Sequence, residues 1–363
     1  MTTTLAIRPI ARLAGLQTGS GEESAALRLA GRRDCAFALA EIIARDASGT
    51  RRRLVSAAAL RADRDPPLAE LVARLESPRA AIAGISFDRA RIMGIVNVTP
   101  DSFADGGRYF DGDVAVEHAL RLEAEGADIL DIGGESTRPG AAPIDVEEEC
   151  RRVLPVIGKL VTQARVPLSI DTRHSEVMRR AAAAGVRLIN DVSALRHDPQ
   201  SLATVARTGL PVVLMHAQGD PRTMQDAPHY ADVVLDVYDF LAERAAASEA
   251  AGIARSRLLL DPGIGFGKTL AHNLALLASL SLLHGLGCPL LLGVSRKSFI
   301  GHLTGAPPSE RLPGSLAAAL TGIAQGVQLL RVHDVAATRQ AVAVWEGDQP
   351  RPRAERQRPA SED

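Results

Sequence analysis

The sequence has 363 residues, 46% of them hydrophobic and 23% charged, with a formal net charge of -1 and only 3% aromatic residues. That length suits one large domain with an appendage, and near-neutral charge with few aromatics argues against a nucleic acid, a membrane surface or base stacking as the partner. Three scattered cysteines, Cys35, Cys150 and Cys288, make neither a disulfide framework nor a zinc site and point to a reducing, cytoplasmic setting.

No apolar run approaches the ~18 residues of a membrane span, and the amino terminus lacks a hydrophobic signal core. Arg8 and Arg12 among threonines bear only a weak likeness to an organelle leader. Residues 1–88 read as an α-rich or α+β extension: RRR at Arg51 to Arg53, RADRDPP, and amphipathic pieces such as LAELVARLE from Leu68. No chemistry is visible there. Residues 89–346 are regular, with short β-rich apolar runs alternating with Ala/Leu-rich amphipathic stretches. The runs are RIMGIVNV from Arg91, DILDIGG from Asp128, PLSIDT from Pro167, RLINDV from Arg187, PVVLMH from Pro211, LLLDPG from Leu258, PLLLGVS from Pro289 and VQLLRVHD from Val327. Repeated βα units of this number predict an α/β fold, a (β/α)8 barrel of the TIM type, with a doubly wound open sheet as the alternative. From Gly347 onward, polar and Pro-rich sequence without periodicity predicts a disordered tail over residues 347–363.

Barrel enzymes place their chemistry where strands end. The runs stop on Asn97, then Glu135 to Arg138, Asp171, Asn190 with Asp191, His216, Asp261, Ser295 to Lys297, and Arg331 with His333. One polar strand end is ordinary, but a full ring of half-buried charge costs several kcal/mol unless partnered, and a common ligand accounts for it. Asp171, Asn190 and Asp261 offer acceptors and an amide to a flat heterocycle with N–H donors along one edge. Arg331 and His333 flank the position where barrels often hold phosphate, with Arg138 and Lys297 adding positive charge.

LLLDPGIGFGKT, residues 258–269, is a near miss to a phosphate-binding P-loop: Pro262 stands where the first glycine belongs. Lys268 therefore reads as a solvated bystander, and Glu147 to Glu149 as an exposed face at a helix start. His216 is as well explained by a hydrogen bond within the barrel as by a ligand. His118, His272 and His284 fall in helical stretches as surface or packing residues.

Taken together, MGIVNVTPDSFADGG from Met93, DIGGESTRPGA from Asp131, SIDT from Ser169, INDV from Ile189, LMHAQGDPRTMQ from Leu214, LDPGIGFGK from Leu260, GVSRKSFIG from Gly293, RLPGSLAAAL from Arg311 and RVHDV from Arg331 resemble the dihydropteroate synthase family of pterin-binding barrels. The resemblance covers about residues 89–346. It implies condensation of 6-hydroxymethyl-7,8-dihydropterin diphosphate with 4-aminobenzoate, giving 7,8-dihydropteroate and diphosphate. A corrinoid methyltransferase of the same superfamily and a non-catalytic pterin-binding module are the alternatives.

By the same resemblance, Asp171, Asn190, Met215, Asp261, Phe266 and Lys297 bind the pterin. Asn97 ligates Mg2+, and Asn97, Thr137, Arg331 and His333 contact the diphosphate. Phe103, Thr137, Arg138, Pro139 and Ser298 meet 4-aminobenzoate. Asp105, Asp171, Lys297, Arg331 and His333 carry the chemistry, which the family runs dissociatively: the C–O bond to diphosphate breaks before the arylamine attacks. Two mobile loops exclude water, and the family is usually a homodimer. No role for residues 1–88 follows from the resemblance.

Overall fold

The computed structural model describes residues 3–13, 26–32, 35–98, 112–135, 144–219 and 223–348. The amino-terminal region is more strand-rich than expected: β1 (Thr4–Leu13), β2 (Leu27–Arg28), β3 (Ala36–Asp46) and β4 (Gly49–Ser56) form one antiparallel sheet, backed by α1 (Ala57–Ala62) and α2 (Pro66–Glu76). It is an α+β unit rather than an α-rich one. The Ala-rich composition of β3 hides its period: Ile42 pairs with Ile7 and turns towards the two helices, whereas Ile43 pairs with Ala6 and turns towards the barrel core. In α2, Leu68, Leu71, Val72 and Leu75 make the buried stripe at helical spacing.

Eight parallel strands follow, in the order expected: β5 (Arg91–Asn97), β6 (Ile129–Gly133), β7 (Leu168–Asp171), β8 (Leu188–Asp191), β9 (Val212–Met215), β10 (Leu258–Asp261), β11 (Leu291–Gly293) and β12 (Leu329–Val332). Their sheet order is β10-β9-β8-β7-β6-β5-β12-β11, and a parallel bridge between Leu260 and Leu290 joins its two ends. The α/β barrel is therefore closed, and the open doubly wound sheet is set aside.

The helices around it are α3 (Gly112–Ala124), α4 (Val146–Gln163), α5 (Ser175–Ala184), α6 (Ser201–Thr208), α7 (Val233–Ala250), α8 (Leu270–Leu277), α9 (Ser298–Thr304), α10 (Leu312–Ile323) and α11 (Val335–Asp348). The last of these carries helix through Gly347 and Asp348, two residues into the segment assigned to a tail; the rest of that tail lies outside the described residues.

Strand alternation sorts the barrel interior into layers. The lower layer is apolar: Met93, Ile129, Leu188, Val213, Leu259, Leu291 and Leu329 pack with Ile82 and Phe87, which lie ahead of β5 and stopper that end. Two residues further along four of these strands stand Asp131, Asn190, Asp261 and Arg331, and that change of character locates the site.

Candidate active site

Partners in parallel register point to the same face, so the pairing fixes neighbours at the mouth. Asp171 lies opposite Asn190, Asp261 opposite Met215, and Arg331 opposite Gly293, which has no side chain to crowd it. Arg331 Nε donates to Asp131 Oδ2 at 2.6 Å and its Nη2 to Asp171 Oδ2 at 2.7 Å. Asn190 Nδ2 donates to the same Asp131 oxygen at 2.9 Å. The floor of the mouth is thus one connected network across β6, β7, β8 and β12.

Its electrostatics follow from burial. Desolvation pushes Asp171 up to about 7, against the pull of Arg331 and with help from Asp131. Burial works against the Arg331 charge, but Asp131 and Asp171 outweigh it and hold that guanidinium above its ordinary range. Burial also raises Asp261, opposed mainly by Lys297. Lys297 is brought down to about 8 by burial, with Asp261 opposing. Neighbouring Asp191 rises to about 6 through burial, although it accepts from Ser193 and from the Leu195 amide. A carboxyl and an amine poised near neutrality at one mouth, Asp171 and Lys297, are what a site for a polar heterocycle looks like.

The exit turn of β10 forms one wall. Gly263 has φ 65° and Gly267 φ 62°; a Cβ on the first would lie 1.9 Å from His216 O and on the second 2.4 Å from Gln218 O, so only glycine fits at either. The turn presents the Phe266 ring beneath Lys297, whose Nζ is 4.8 Å from the ring centroid and also donates to Ile264 O.

Lys268 is not solvated, contrary to the reading from sequence. It is 3% exposed, and its Nζ donates to Gly263 O at 2.8 Å, Phe266 O at 2.9 Å and His216 Nδ1 at 2.9 Å. Its Nζ ties the turn into a ring around itself, while burial, with Lys297 adding to it, pulls its pKa well down. His216 makes its hydrogen bond within the barrel and packs edge-on against Phe240, with centroids 4.8 Å apart. Burial, with Lys268 beside it, pushes its pKa down to about 3.

On the opposite side, His333 sits with its Nδ1 3.0 Å from Ser295 Oγ, and its backbone N–H donates to the same oxygen at 3.2 Å. Arg296, with φ 56°, turns away from the mouth to bind Asp334 at 2.8 Å, which leaves Lys297 as the cation on the pocket side. Ser298 is exposed at the first turn of α9. Phe103, Asp105, Thr137, Arg138 and Pro139 lie outside the described residues.

Asn97 ends β5, half-buried and in register with Gly133. One amide oxygen is a sparse donor set, but it fits Mg2+, which keeps several waters and takes substrate phosphate oxygens instead of an all-protein cage. Among the described residues one other cluster has ligand chemistry, Glu135, Glu149 and His174. Its groups are already engaged: Glu135 is held bidentately by Arg173 at 2.8 and 2.9 Å, and His174 Nδ1 lies 2.7 Å from Glu149 Oε2. Glu149 is consequently fully buried, not part of an exposed face, because the helical period turns it inward from Glu147 and Glu148.

Two side chains that shape the mouth are not marked out by the sequence. The rule that polar residues mark strand ends passes over Asp131, which lies mid-strand in β6, yet a carboxylate inside the apolar run DILDIGG is itself an anomaly. It is fully buried, and its Oδ1 has no hydrogen-bond partner among the described residues. Lys268 was dismissed with the failed P-loop, and nothing local in sequence marks it as buried.

Residues 93–333 match the family model described as pterin binding enzyme. The dihydropteroate synthase of Escherichia coli (strain K12) is 51% identical over 265 residues, 72% of this chain and 94% of that protein. The chain belongs to the dihydropteroate synthases. Their counterpart from Neisseria meningitidis serogroup B is 53% identical over 270 residues, 72% of this chain and 94% of the relative. Among solved structures, a Xanthomonas albilineans dihydropteroate synthase with 4-aminobenzoic acid superposes with a TM-score of 0.71 at 57% identity, covering 76% of this chain and 99% of the other. The same enzyme in complex with 7,8-dihydropteroate gives 0.69 at 54% identity, covering 76% of this chain and 100% of the other. The chain is a folate-pathway transferase with dihydropteroate synthase activity. The family match begins at Met93, so the amino-terminal sheet lies ahead of it.

Proposed function

We propose that the mouth of the barrel binds 6-hydroxymethyl-7,8-dihydropterin diphosphate, with its ring on the acidic floor and its diphosphate towards His333, and condenses it with 4-aminobenzoate. The observation that carries this division is the floor itself: Asp131, Asp171, Asn190 and Asp261 present acceptors and an amide at one level, and Asp131 Oδ1 is buried without a donor among the described residues. A pterin edge, rich in N–H, supplies donors to such a set. Phe266 and Met215 give the ring apolar walls, and Lys297 above Phe266 donates to a ring acceptor.

The chemistry asks for charge stabilisation more than for a nucleophile. As the C–O bond to diphosphate breaks, positive charge grows on the exocyclic carbon, and the carboxylates of Asp171 and Asp105 stabilise it. Arg331 and His333 stabilise the departing anion. When Arg331 turns to the diphosphate, Asp131 and Asp171 are released to the pterin, so one guanidinium serves the empty and the occupied site. Mg2+ held at Asn97 supplies further neutralisation of the diphosphate when bound. Thr137 joins Asn97 at the diphosphate, and Phe103, Arg138, Pro139 and Ser298 hold the aminobenzoate; these roles rest on the motif match.

The same reading places the enzyme in the cytoplasm, supported by cysteines that are few, scattered along the chain and buried. It also makes the enzyme a homodimer, supported by the exposed Leu303 and Val344 on the outer helices α9 and α11. Purified protein with the pterin diphosphate, 4-aminobenzoate and Mg2+ should release diphosphate and dihydropteroate together. Lys297→Ala should raise the KM for the pterin substrate and Arg138→Ala that for 4-aminobenzoate. Equal effects on both substrates would contradict the assignment.

A further inference from the structure

The amino-terminal sheet touches the barrel at the start of α7, and the contact is built the same way twice. Asp236 accepts from Arg45 Nη1 at 2.7 Å on one carboxylate oxygen and from the Ala231 and Asp232 amides at 3.0 and 3.2 Å on the other. Asp232, the N-cap of α7, accepts from Arg52 Nη2 at 3.0 Å on one oxygen and from the Val234 and Leu235 amides at 3.0 and 3.2 Å on the other. Asp239 completes the seam, taking Arg45 Nη2 at 2.5 Å and Thr4 Oγ1 at 2.8 Å. Each of the first two carboxylates therefore joins an arginine of the sheet to the backbone where the β9 exit loop becomes helix.

That loop in turn holds the β10 exit turn. Tyr230 Oη donates to Gly267 O at 2.7 Å, and Gln225 Nε2 to Gly265 O at 2.6 Å. Those two carbonyls flank Phe266, whose ring underlies Lys297. A path thus runs from Arg45 and Arg52 through hydrogen bonds at Asp236 and Asp232, along the backbone to the adjacent Tyr230, and through its hydroxyl to the wall of the pocket.

We infer that the amino-terminal sheet positions the pterin side of the active site, with Arg45 and Arg52 as positioning residues that act through Tyr230 on the turn carrying Phe266. This rests on reading Phe266 and Lys297 as pterin contacts. The pairs are partly exposed, with side-chain exposures of 20% and 29% for Arg45 and Asp236 and 40% and 30% for Arg52 and Asp232, so they act as guides of modest strength.

The test is steady-state kinetics on the full chain carrying Arg45→Ala and Arg52→Ala together. The KM for the pterin diphosphate should rise about threefold to tenfold, the scale of two partly exposed ion pairs, while kcat and the KM for 4-aminobenzoate stay within about twofold. The gap from the unaltered enzyme should close in high salt, which screens the pairs in the latter. Tyr230→Phe, which cuts the path beyond the sheet, should reproduce the effect and combine with the double variant less than additively. Should the double variant fail to fold, Arg45→Lys with Arg52→Lys and Tyr230→Phe carry the test. A lowered Tm with an unchanged pterin KM, or strict additivity with Tyr230→Phe, overturns the inference. Phe266→Ala separates the two readings: no change in pterin KM there refutes the pocket assignment, whereas a change there with none from Arg45, Arg52 and Tyr230 refutes the positioning role alone.

Discussion

The barrel mouth and the seam between the sheet and α7 are both made of arginines bridging two carboxylates, yet burial gives them different work. Arg331 binds Asp131 and Asp171 with side-chain exposures of 22%, 0% and 10%, and the cost of desolvation moves the protonation of Asp171 towards neutral pH. Across the seam Arg45 and Arg52 bind acids of α7 that are 26–30% exposed. Buried pairs create a reactive, ligand-seeking surface; half-exposed pairs hold two bodies in register at little energetic cost.

Breaking the buried side should have the largest effect. Arg331→Ala leaves two carboxylates facing each other in the floor, and a loss of about 3–5 kcal/mol is expected in urea unfolding. Activity should fall at least about 100-fold, the scale for removing an electrostatic contact to a leaving anion. Next comes Lys268→Met, which keeps volume and removes the donor. It should cost about 1–3 kcal/mol per acceptor left unsatisfied, read by the same unfolding experiment, and it should raise the pterin KM.

The mouth should also set the pH profile. The pterin floor needs Asp171 ionised, so kcat/KM falls as pH drops through about 7; it needs Lys297 protonated, so kcat/KM falls again as pH rises through about 8. A flat profile from pH 6 to 9 would remove both groups from binding. Lys297→Arg should abolish the alkaline limb alone.

Two histidines sharpen the comparison through stability instead of rate. His174 gains Glu149 and has its pKa raised, so its contribution is complete below 6.5 and is lost as pH rises through the folded value. His216 is held neutral down to about 3, so the unfolded chain binds the extra proton and stability is lost as pH falls below 6.5. His174→Gln and His216→Asn should therefore change the pH dependence of Tm with opposite sign, and equal slopes would contradict this. The smallest effect is at the seam: Arg52→Ala alone should cost no more than about 0.5 kcal/mol in the same melts.

Much of the barrel is legible in sequence because its signals are local. Each strand is a short apolar run of β-branched and leucine residues, each stops on a polar residue, and alternation tells which side chains face inward. That was enough to name Asp171, Asn190, Asp261, Lys297 and Arg331, which the structure brings to one mouth. What escaped depended on partners distant along the chain. Asp131 is joined to Arg331 across 200 positions, and Arg45 to Asp236 across 191. The strand β3 was obscured because alanine and glutamate favour helix locally, while pairing with β1 and β4 decides otherwise.

Periodicity and strand ends by themselves determined the barrel and pointed to the mouth residues on which the proposed site rests. Only the tertiary structure decided which charges are paired, that Lys268 and Glu149 are buried, and that the amino-terminal sheet reaches the wall of the pocket. The reason is physical: backbone propensity and side-chain period act over a few neighbouring residues, whereas desolvation and ion pairing depend on what the finished fold places a few ångströms away.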